Sequence, residues 1–307
     1  MEKIKIGSRK SRLALWQSET VAAMLNQNGI DTEIITMETL GDKILNTPIA
    51  KIGSKGVFTE EIEAMLKSGE VDLAVHSAKD MPSQLPEGFS LIAFTEREKP
   101  GDVVLSFDKS ASLKNKERPL CVGTSSVRRV AMLRHFYPHV TPVDMRGNLQ
   151  TRIKKMESGA CDALILAYAG VIRMDYAHMI VAELPVTEFV PPVGQGSIAI
   201  EVYDSIDPAL KKKIRECINH PPTEAALIAE RAFLKTLRGG CSIPAFALAE
   251  LAGEMVRLTA GLIGIDGQKV LKEILTDTIE NAARLGEKTG LQILEAGGRE
   301  LLAEIRK

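Results

Sequence analysis

Arginine residues recur in this chain at one kind of place, close behind a short apolar segment and a turn of small residues. Such arginines are suited to bind carboxylates and phosphates, because a guanidinium can donate two parallel hydrogen bonds to either group. For any single arginine, a solvated surface position is an equally good interpretation. For the recurring set, a ligand with several negative charges is the better one. The positions are Arg9, Arg12, Arg128, Arg129, Arg146, Arg152 and Arg173.

A second candidate is the stretch HSAKDMP, residues 76–82, which follows the apolar run VDLAV. It places His76, Lys79 and Asp80 where a predicted strand ends. A carboxylate beside a lysine can act as an acid or base, or can stabilise a cation. An ordinary ion pair explains the same residues equally well.

The stretch AKIGSKGVF, residues 50–58, carries Lys51 and Lys55 around two glycines. The spacing of a phosphate-binding P-loop, GxxxxGK followed by Ser or Thr, is absent. A loop bearing two cations is the better description, and both a mobile lid and a plain surface loop fit it.

Four cysteines are spread along the chain without a CxxC pair, so neither a zinc site nor a disulfide framework is indicated. Cys121 and Cys161 have apolar neighbours typical of a core, and Cys217 lies in a polar helical stretch. Cys241 differs, because the motif LRGGCSIP puts it in a glycine-rich turn after a predicted helix. Four interpretations of Cys241 remain open: structural filler, a redox thiol, a metal ligand or a covalent attachment point.

Predicted strands and helices alternate through the first two thirds of the chain, which favours parallel or mixed sheets covered by helices. In such folds the carboxyl ends of strands and the first turns of helices meet in one crevice, where anions bind. After about residue 217 the pattern changes. There a helix, a hairpin turning at Asp266-Gly267 and a closing helical stretch predict a small α+β part.

Two stretches rich in glycine and proline, REKPGD (97–102) and VPPVGQG (190–196), bracket the middle of the chain. We expect the chain to leave a first domain at one and to return at the other, which would make a hinge. The predicted domains are therefore 1–96 with 197–216, then 97–196, then 217–307. The predicted fold is α/β, with two hinged doubly wound mixed-sheet domains and a smaller C-terminal α+β domain.

Composition sets limits on function. The 307 residues are 45% hydrophobic and 26% charged, with a formal net charge of −1. This balance argues against a nucleic-acid binder that relies on overall positive charge. No apolar run is long enough for a membrane span. The N-terminal stretch MEKIKIGSRK lacks the apolar region of a secretory signal, so we expect a cytoplasmic protein without nucleic-acid or membrane partners.

Taken together, the ordered motifs resemble the porphobilinogen deaminase family of tetrapyrrole biosynthesis. They include GSRKSRLALWQ, AKIGSKGVF, VDLAVHSAKDMP, VGTSSVRR, RGNLQTR, ALILAYAG, VPPVGQG, AERAFL and GGCSIP. The resemblance implies a monomeric transferase that joins four porphobilinogen molecules head to tail with loss of ammonia. It also implies release of hydroxymethylbilane by water, and a periplasmic-binding-protein-like arrangement of the first two domains.

The same resemblance implies a dipyrromethane cofactor held by a thioether to Cys241. Asp80 would be the catalytic carboxylate that stabilises the azafulvenium cation formed when ammonia leaves. The implied cofactor-binding residues, besides Cys241 and Asp80, are Ser77, Lys79, Thr124, Ser126, Arg128, Arg129 and Arg146. The implied substrate-binding residues are Arg9, Ser11, Gln17, Lys51, Lys55, Phe58, Arg146, Arg152, Arg173 and Gln195. Arg12 is left outside the site.

Two other classes of protein share some of these sequence features. A solute receptor also has two hinged α/β domains and an arginine-lined cleft, but the missing export signal and the third domain with its cysteine argue against it. A ligand-sensing regulator would need a helix-turn-helix segment with a basic face, and none is evident.

Overall fold

The computed structural model describes residues 3–38, 59–240 and 243–306, and the chain divides into two compact units. Unit 1 is Met1–Glu98 with Ser197–Ala225, and unit 2 is Lys99–Gly196 with Ala226–Lys307. The division of the chain into three domains at 96/97, 196/197 and 216/217 stays a prediction.

Unit 1 is built on a five-stranded mixed sheet in the order β2-β1-β3-β10-β4. Strand β1 is parallel to β2 and β3, whereas β10 is antiparallel to β3 and β4. The mixed sheet agrees with the predicted fold class. The elements are β1 Ile4–Arg9, α1 Arg12–Gln27, β2 Thr32–Met37, α2 Glu60–Ser68, β3 Leu73–Ser77, β4 Phe89–Phe94, β10 Ile198–Tyr203 and α6 Pro208–Ile218.

The first strand-turn-helix of unit 1 shows how local sequence produces these elements. Ser11 is extended, and its hydroxyl accepts a hydrogen bond from the N–H of Ala14, which caps α1. Val21 and Leu25, one turn apart on α1, are fully buried against the sheet. Helix α2 ends at Gly69, whose φ of 77° is the left-handed conformation that a glycine adopts without strain. These bounds agree with the helical periods in the sequence.

Unit 2 contains a second five-stranded mixed sheet, in the order β7-β6-β8-β5-β9. Strand β6 is parallel to β7 and β8, and β5 is antiparallel to β8 and β9. Its elements are β5 Asp102–Leu105, β6 Cys121–Gly123, α3 Val127–Phe136, β7 Thr141–Val143, α4 Leu149–Glu157, β8 Ala163–Ala167, α5 Tyr168–Arg173 and β9 Ile180–Glu183.

One predicted element of unit 2 is different in the structure. From the sequence alone, the apolar stretch ALILAYAG predicts a strand throughout, with Arg173 after it. The strand β8 ends at Ala167, and Tyr168–Arg173 is the short helix α5. The N–H of Tyr168 donates to the carbonyl of Gly101, which is where the chain leaves the sheet. Arg173 is therefore the last residue of a helix rather than part of a loop.

The C-terminal part of unit 2 has a three-stranded antiparallel sheet, β11-β12-β13, and helices packed on it. The expected hairpin turns at Gly267, whose φ is 77°. The closing helical stretch is interrupted at Gly297, with φ of 103°, as its two glycines indicated. The elements are α7 Pro221–Thr236, whose first residues belong to unit 1, β11 Ala245–Ala252, β12 Met255–Ile263, β13 Val270–Thr278, α8 Ala282–Ile293 and α9 Arg299–Ile305.

Two internal contacts hold this C-terminal part within unit 2. The guanidinium of Arg134 on α3 donates to the carbonyl of Ile265 at 2.7 Å, next to the hairpin turn. The carboxylate of Glu230 on α7 is fully buried and accepts hydrogen bonds from the N–H groups of Gly194 and Ala249, at 2.8 and 2.9 Å. In the described part of the chain, no helix is long and apolar enough to cross a membrane.

Helices α7 and α8 approach each other so closely that only glycine fits at Gly286. A methyl group there would overlap the carbonyl oxygen of Ala229 and lie 2.8 Å from the Cβ atom of Ala232. Helix propensity alone favours alanine over glycine by about 1 kcal/mol. The overlapping oxygen belongs to the backbone and cannot move aside as a side chain could. We therefore expect the steric clash to outweigh the gain in helix propensity.

Gly286→Ala should lower the free energy of unfolding by about 2 kcal/mol, measured by chemical denaturation. Glu287→Ala, on the exposed side of the same helix, is the control and should have little effect. A stabilised Gly286→Ala protein would show that the two helices do not pack as described.

Candidate functional site

A pocket of about 60 Å³ opens in unit 1 where β1, the first turn of α1 and the end of β3 meet. It brings together six residues that the sequence singled out, although they come from two separate stretches of the chain. These are Arg9, Ser11, Gln17, His76, Ser77 and Asp80. The remaining lining residues are Leu13, Ala14, Thr59 and Val75.

The end of β3 determines where Asp80 lies. The strand stops at Ser77, and a single tight turn, Ala78–Asp80, follows before the chain extends again at Met81. The N–H of Ala78 donates to the carbonyl of Ser197, so the turn is tied to the neighbouring chain segment. Asp80 is exposed to solvent while its neighbour Ala78 is buried. This places one carboxylate at the mouth of the pocket.

Two polar side chains fix the wall of the same pocket. The amide of Gln17 donates to the hydroxyl of Ser77 at 2.9 Å, and Gln17 is only 2% exposed. The guanidinium of Arg9 lines the pocket together with Asp80. Lys79 does not line the pocket and is half-buried beside Asp80 in the turn.

Unit 2 contains a buried group of charges around Asp102, which starts β5. The two oxygens of Asp102 accept hydrogen bonds from Arg128 Nη2 at 2.6 Å and from Arg129 Nη2 at 2.8 Å. The amide Nε2 of Gln195 donates to the same carboxylate at 2.9 Å. None of the four side chains is more than 8% exposed. We call these four residues the Asp102 group.

Helix α3 carries the two arginines into this group. Ser126 caps the helix by accepting from the N–H of Arg129, and Thr124 in turn accepts from the N–H of Ser126. Arg128 Nη1 also donates to the carbonyl of Val190, and Arg129 Nη1 to that of Ile165. The Nε atoms of both arginines are buried without a hydrogen-bond partner among the described residues. The Nε donor of each guanidinium is therefore unused within the described residues.

The charge state of Asp102 follows from its partners. Burial alone would raise the pKa of this carboxyl, but Arg128 and Arg129 outweigh burial and hold it far below the usual range of an aspartate. Asp102 is accordingly ionised at neutral pH, and the group carries two cations for one anion. The net positive charge beside the N-terminus of α3 suits a carboxylate or phosphate ligand.

The other predicted arginines of unit 2 have separate contacts and do not bond Asp102. Arg146 Nε donates to Asp144 at 3.0 Å, Arg152 Nε donates to the carbonyl of Gly147 at 2.8 Å, and Arg173 Nη2 donates to the carbonyl of Gly196 at 2.7 Å. These contacts fix where each arginine sits. Their role toward a ligand stays a prediction.

Four predicted site residues, Lys51, Lys55, Phe58 and Cys241, lie outside the described residues. The three other cysteines are described, and burial raises the pKa of each thiol, that of Cys161 to about 11. Since the thiolate is the reactive form, these three are poor nucleophiles at neutral pH.

Sequence reasoning missed two acidic residues that the structure brings into contact with site residues. Asp102 binds the two arginines of α3, and Glu201 lies 3.0 Å from the Nε2 atom of His76. Both belong to strands that are otherwise apolar, DVVL and IAIEVY. A carboxylate within a buried strand needs a partner of opposite charge. An acidic residue inside an apolar strand sequence was therefore the signal that could have identified both residues.

Comparisons with known proteins cover almost the whole chain. The family model for "Porphobilinogen deaminase, dipyromethane cofactor binding domain" matches residues 4–211, and that for "Porphobilinogen deaminase, C-terminal domain" matches 225–295. The porphobilinogen deaminase of Desulfosudis oleivorans is 55% identical, over 99% of this chain and 98% of that protein. That of Cytophaga hutchinsonii is 49% identical, over 99% and 97%. A solved structure, the VFT2 domain of Bordetella pertussis BvgS, is 17% identical with a TM-score of 0.43, covering 70% of this chain and 85% of that one.

Asp102→Asn tests the buried charge group. The change leaves two buried guanidiniums without their anion, so the free energy of unfolding should fall by about 3 kcal/mol at pH 7. Because the pKa of Asp102 is lowered in the folded protein, its contribution is fully present above the unfolded pKa of about 4 and is lost progressively as pH falls from there toward the much lower folded pKa.

Denaturation of both proteins between pH 7 and pH 3 measures this, and the difference between them should shrink toward pH 3. Asp108→Asn is the matched control, because Asp108 pairs with Arg118 at an exposed position and should matter little. An Asp102→Asn protein as stable as the wild type at pH 7 would contradict the account.

Proposed function

The chain belongs to the porphobilinogen deaminase family, and from that premise we propose which residues perform the reaction. The enzyme is a transferase of tetrapyrrole biosynthesis that holds a dipyrromethane cofactor. It joins four porphobilinogen molecules head to tail, releases ammonia at each step and frees hydroxymethylbilane by hydrolysis. Each pyrrole ring carries an acetate and a propionate, so the ligand becomes more negative with every ring added.

The observation that carries the proposal is that Asp80 and Arg9 line the same pocket. A porphobilinogen ring has a carboxylate-bearing side and an N–H group, and these need opposite charges from the protein. Arg9 binds a substrate carboxylate, with Ser11 and Gln17 as neutral donors beside it. Asp80 accepts from the pyrrole N–H and stabilises the positive charge that develops on the ring as ammonia leaves.

A carboxylate held in place before charge develops stabilises the transition state without reorganising water. The tight turn after β3 supplies this rigidity, since it begins at the buried Ala78, whose N–H is tied to Ser197. Ser77, fixed by Gln17, and Lys79, next to Asp80, contribute to cofactor binding in this account.

The cofactor fits the residues of unit 2. Its carboxylates match the two unused Nε donors of Arg128 and Arg129, the capped N-terminus of α3 and the hydroxyls of Thr124 and Ser126. We assign Arg146 to both cofactor and substrate, and Arg152 and Arg173 to substrate. When bound, the dipyrromethane supplies the nucleophilic ring carbon from which the chain grows. Gln195, which bonds Asp102 and the carbonyl of Pro100, positions the arginines.

Cys241 anchors the cofactor through a thioether in this proposal. Its support is the motif GGCSIP, in which two glycines let the backbone come close to a bulky group, together with the raised thiol pKa of the three other cysteines. Lys51, Lys55 and Phe58 are assigned to substrate binding from their motif alone. We also propose a monomer that acts in the cytoplasm, with porphobilinogen and water as its partners.

Intact mass tests the anchor. Wild-type protein should exceed its sequence mass by one dipyrromethane, whereas Cys241→Ala should match its own sequence mass. Cys217→Ala is the control and should keep the excess. Excess mass that persists in Cys241→Ala would place the attachment elsewhere.

Asp80→Asn tests the carboxylate at nearly constant shape. We expect kcat to fall at least about 100-fold while the thermal unfolding midpoint stays near that of the wild type, because Asp80 is exposed. Glu87→Gln, an exposed carboxylate of the same unit, is the control and should retain activity. Turnover within a few-fold of wild type in Asp80→Asn would remove Asp80 from the mechanism.

A further inference from the structure

Three titratable side chains are buried together beneath the unit 1 pocket. His76 lines the pocket and is 6% exposed, Glu201 on β10 is fully buried, and Glu63 on α2 is 7% exposed. In the antiparallel pairing of β3 and β10, His76 lies opposite Ala199 and Glu201 opposite Ala74. His76 and Glu201 are thus diagonal neighbours across the strands, within reach of each other. We call the three residues the buried triad.

The contacts within the buried triad leave its charges incompletely satisfied. His76 Nε2 lies 3.0 Å from Glu201 Oε2, as an ion pair. Neither Glu201 oxygen nor His76 Nε2 makes a well-aligned hydrogen bond with the described residues. The imidazole therefore has one nitrogen at the Glu201 carboxylate, and the same residue lines the pocket.

The charge balance of the buried triad depends on protons. Two ionised carboxylates and one imidazolium would leave a net negative charge inside the protein, which is costly. Burial raises the pKa of Glu63 and the nearby Glu201 adds to the rise, whereas a hydrogen bond with Thr59 and the nearby His76 oppose it. The net shift favours the neutral form of this carboxyl over its charged form. The other charged groups at this place are Arg9 and Asp80 in the pocket.

The reaction needs a group that can hold a proton for part of each cycle. The C–N bond to the substrate amine breaks with its electron pair leaving on nitrogen, a C–C bond forms, and the ring carbon that attacked loses its proton. The departing nitrogen takes up one proton and leaves as ammonia, so release and uptake balance. If Asp80 carried this proton it would lose the negative charge that stabilises the developing cation.

We propose that His76, backed by Glu201 and Glu63, carries this proton between the ring carbon and the departing ammonia, while Asp80 stays ionised. The assignment rests on the proposed role of the pocket. Glu201 is a positioning residue: it orients the imidazole and stabilises its protonated form. Glu63 lies close enough to act electrostatically on both residues.

Glu201→Gln is the first test, because it removes the charge and keeps the shape. A protonated imidazole without its carboxylate holds its proton less tightly, so the alkaline limb of the kcat–pH profile should move to lower pH by about one unit. His76→Asn should lower kcat about 100-fold. Glu230→Gln is the matched control, since Glu230 is an equally buried carboxylate in unit 2, and the shape of its profile should match that of the wild type.

A second readout does not depend on turnover. In full-length, cofactor-free Cys241→Ala protein labelled with ¹⁵N-histidine, the side-chain signals of the five histidines can be titrated, and His76→Asn identifies the relevant one. Adding Glu201→Gln should move the His76 midpoint down by about one pH unit. An unmoved midpoint in folded protein overturns the proposal, and so does a moved midpoint with an unmoved kcat limb.

His76→Asn covers the case in which Glu201→Gln does not fold, because it removes the imidazole and leaves both carboxylates in place. A folded His76→Asn protein whose kcat stays within a few-fold of the wild type overturns the proposal. An active Asp80→Asn protein would contradict the role proposed for Asp80. The histidine titration would still test the buried triad independently.

Discussion

A ligand that gains two negative charges with each added ring must be held by cations, and cations inside a protein must themselves be stabilised. In unit 2 the carboxylate of Asp102 meets this need by pairing with Arg128 and Arg129. The pairing leaves the group with one excess positive charge and two unused Nε donors. A protein that used ionised arginines alone would pay for their mutual repulsion, whereas one with a carboxylate for each arginine would have no charge left for the ligand.

Unit 1 solves the opposite problem, because it must tolerate a developing positive charge. Its exposed carboxylate, Asp80, is set by a tight turn at the end of β3. Beneath it, His76 and Glu201 lie across two adjacent strands, one from before and one from after the middle stretch of the chain. The antiparallel addition of β10 to the sheet therefore does more than complete a core. It brings a buried carboxylate to the histidine next to the pocket.

Much of this organisation is local and can be read from the sequence. The strand-turn-helix at the N-terminus, the hairpin at Gly267 and the helix interruption at Gly297 follow from periodicity and from glycines at left-handed positions. The arginines after turns and the HSAKDMP motif indicated an anion site with a carboxylate. What could not be predicted depends on contacts between elements that are far apart in the sequence. Asp102 meets Arg129 across 27 residues and Glu201 meets His76 across 125, and no local pattern specifies either contact.

The most direct measurement is a crystal structure of the cofactor-loaded enzyme that resolves the carboxylate oxygens of the dipyrromethane. The account predicts a cofactor carboxylate within about 3 Å of Nε of Arg128 or Arg129, with both arginines still bonded to Asp102. Cofactor carboxylates bound away from both arginines, or guanidiniums turned away from Asp102 to reach them, would contradict it.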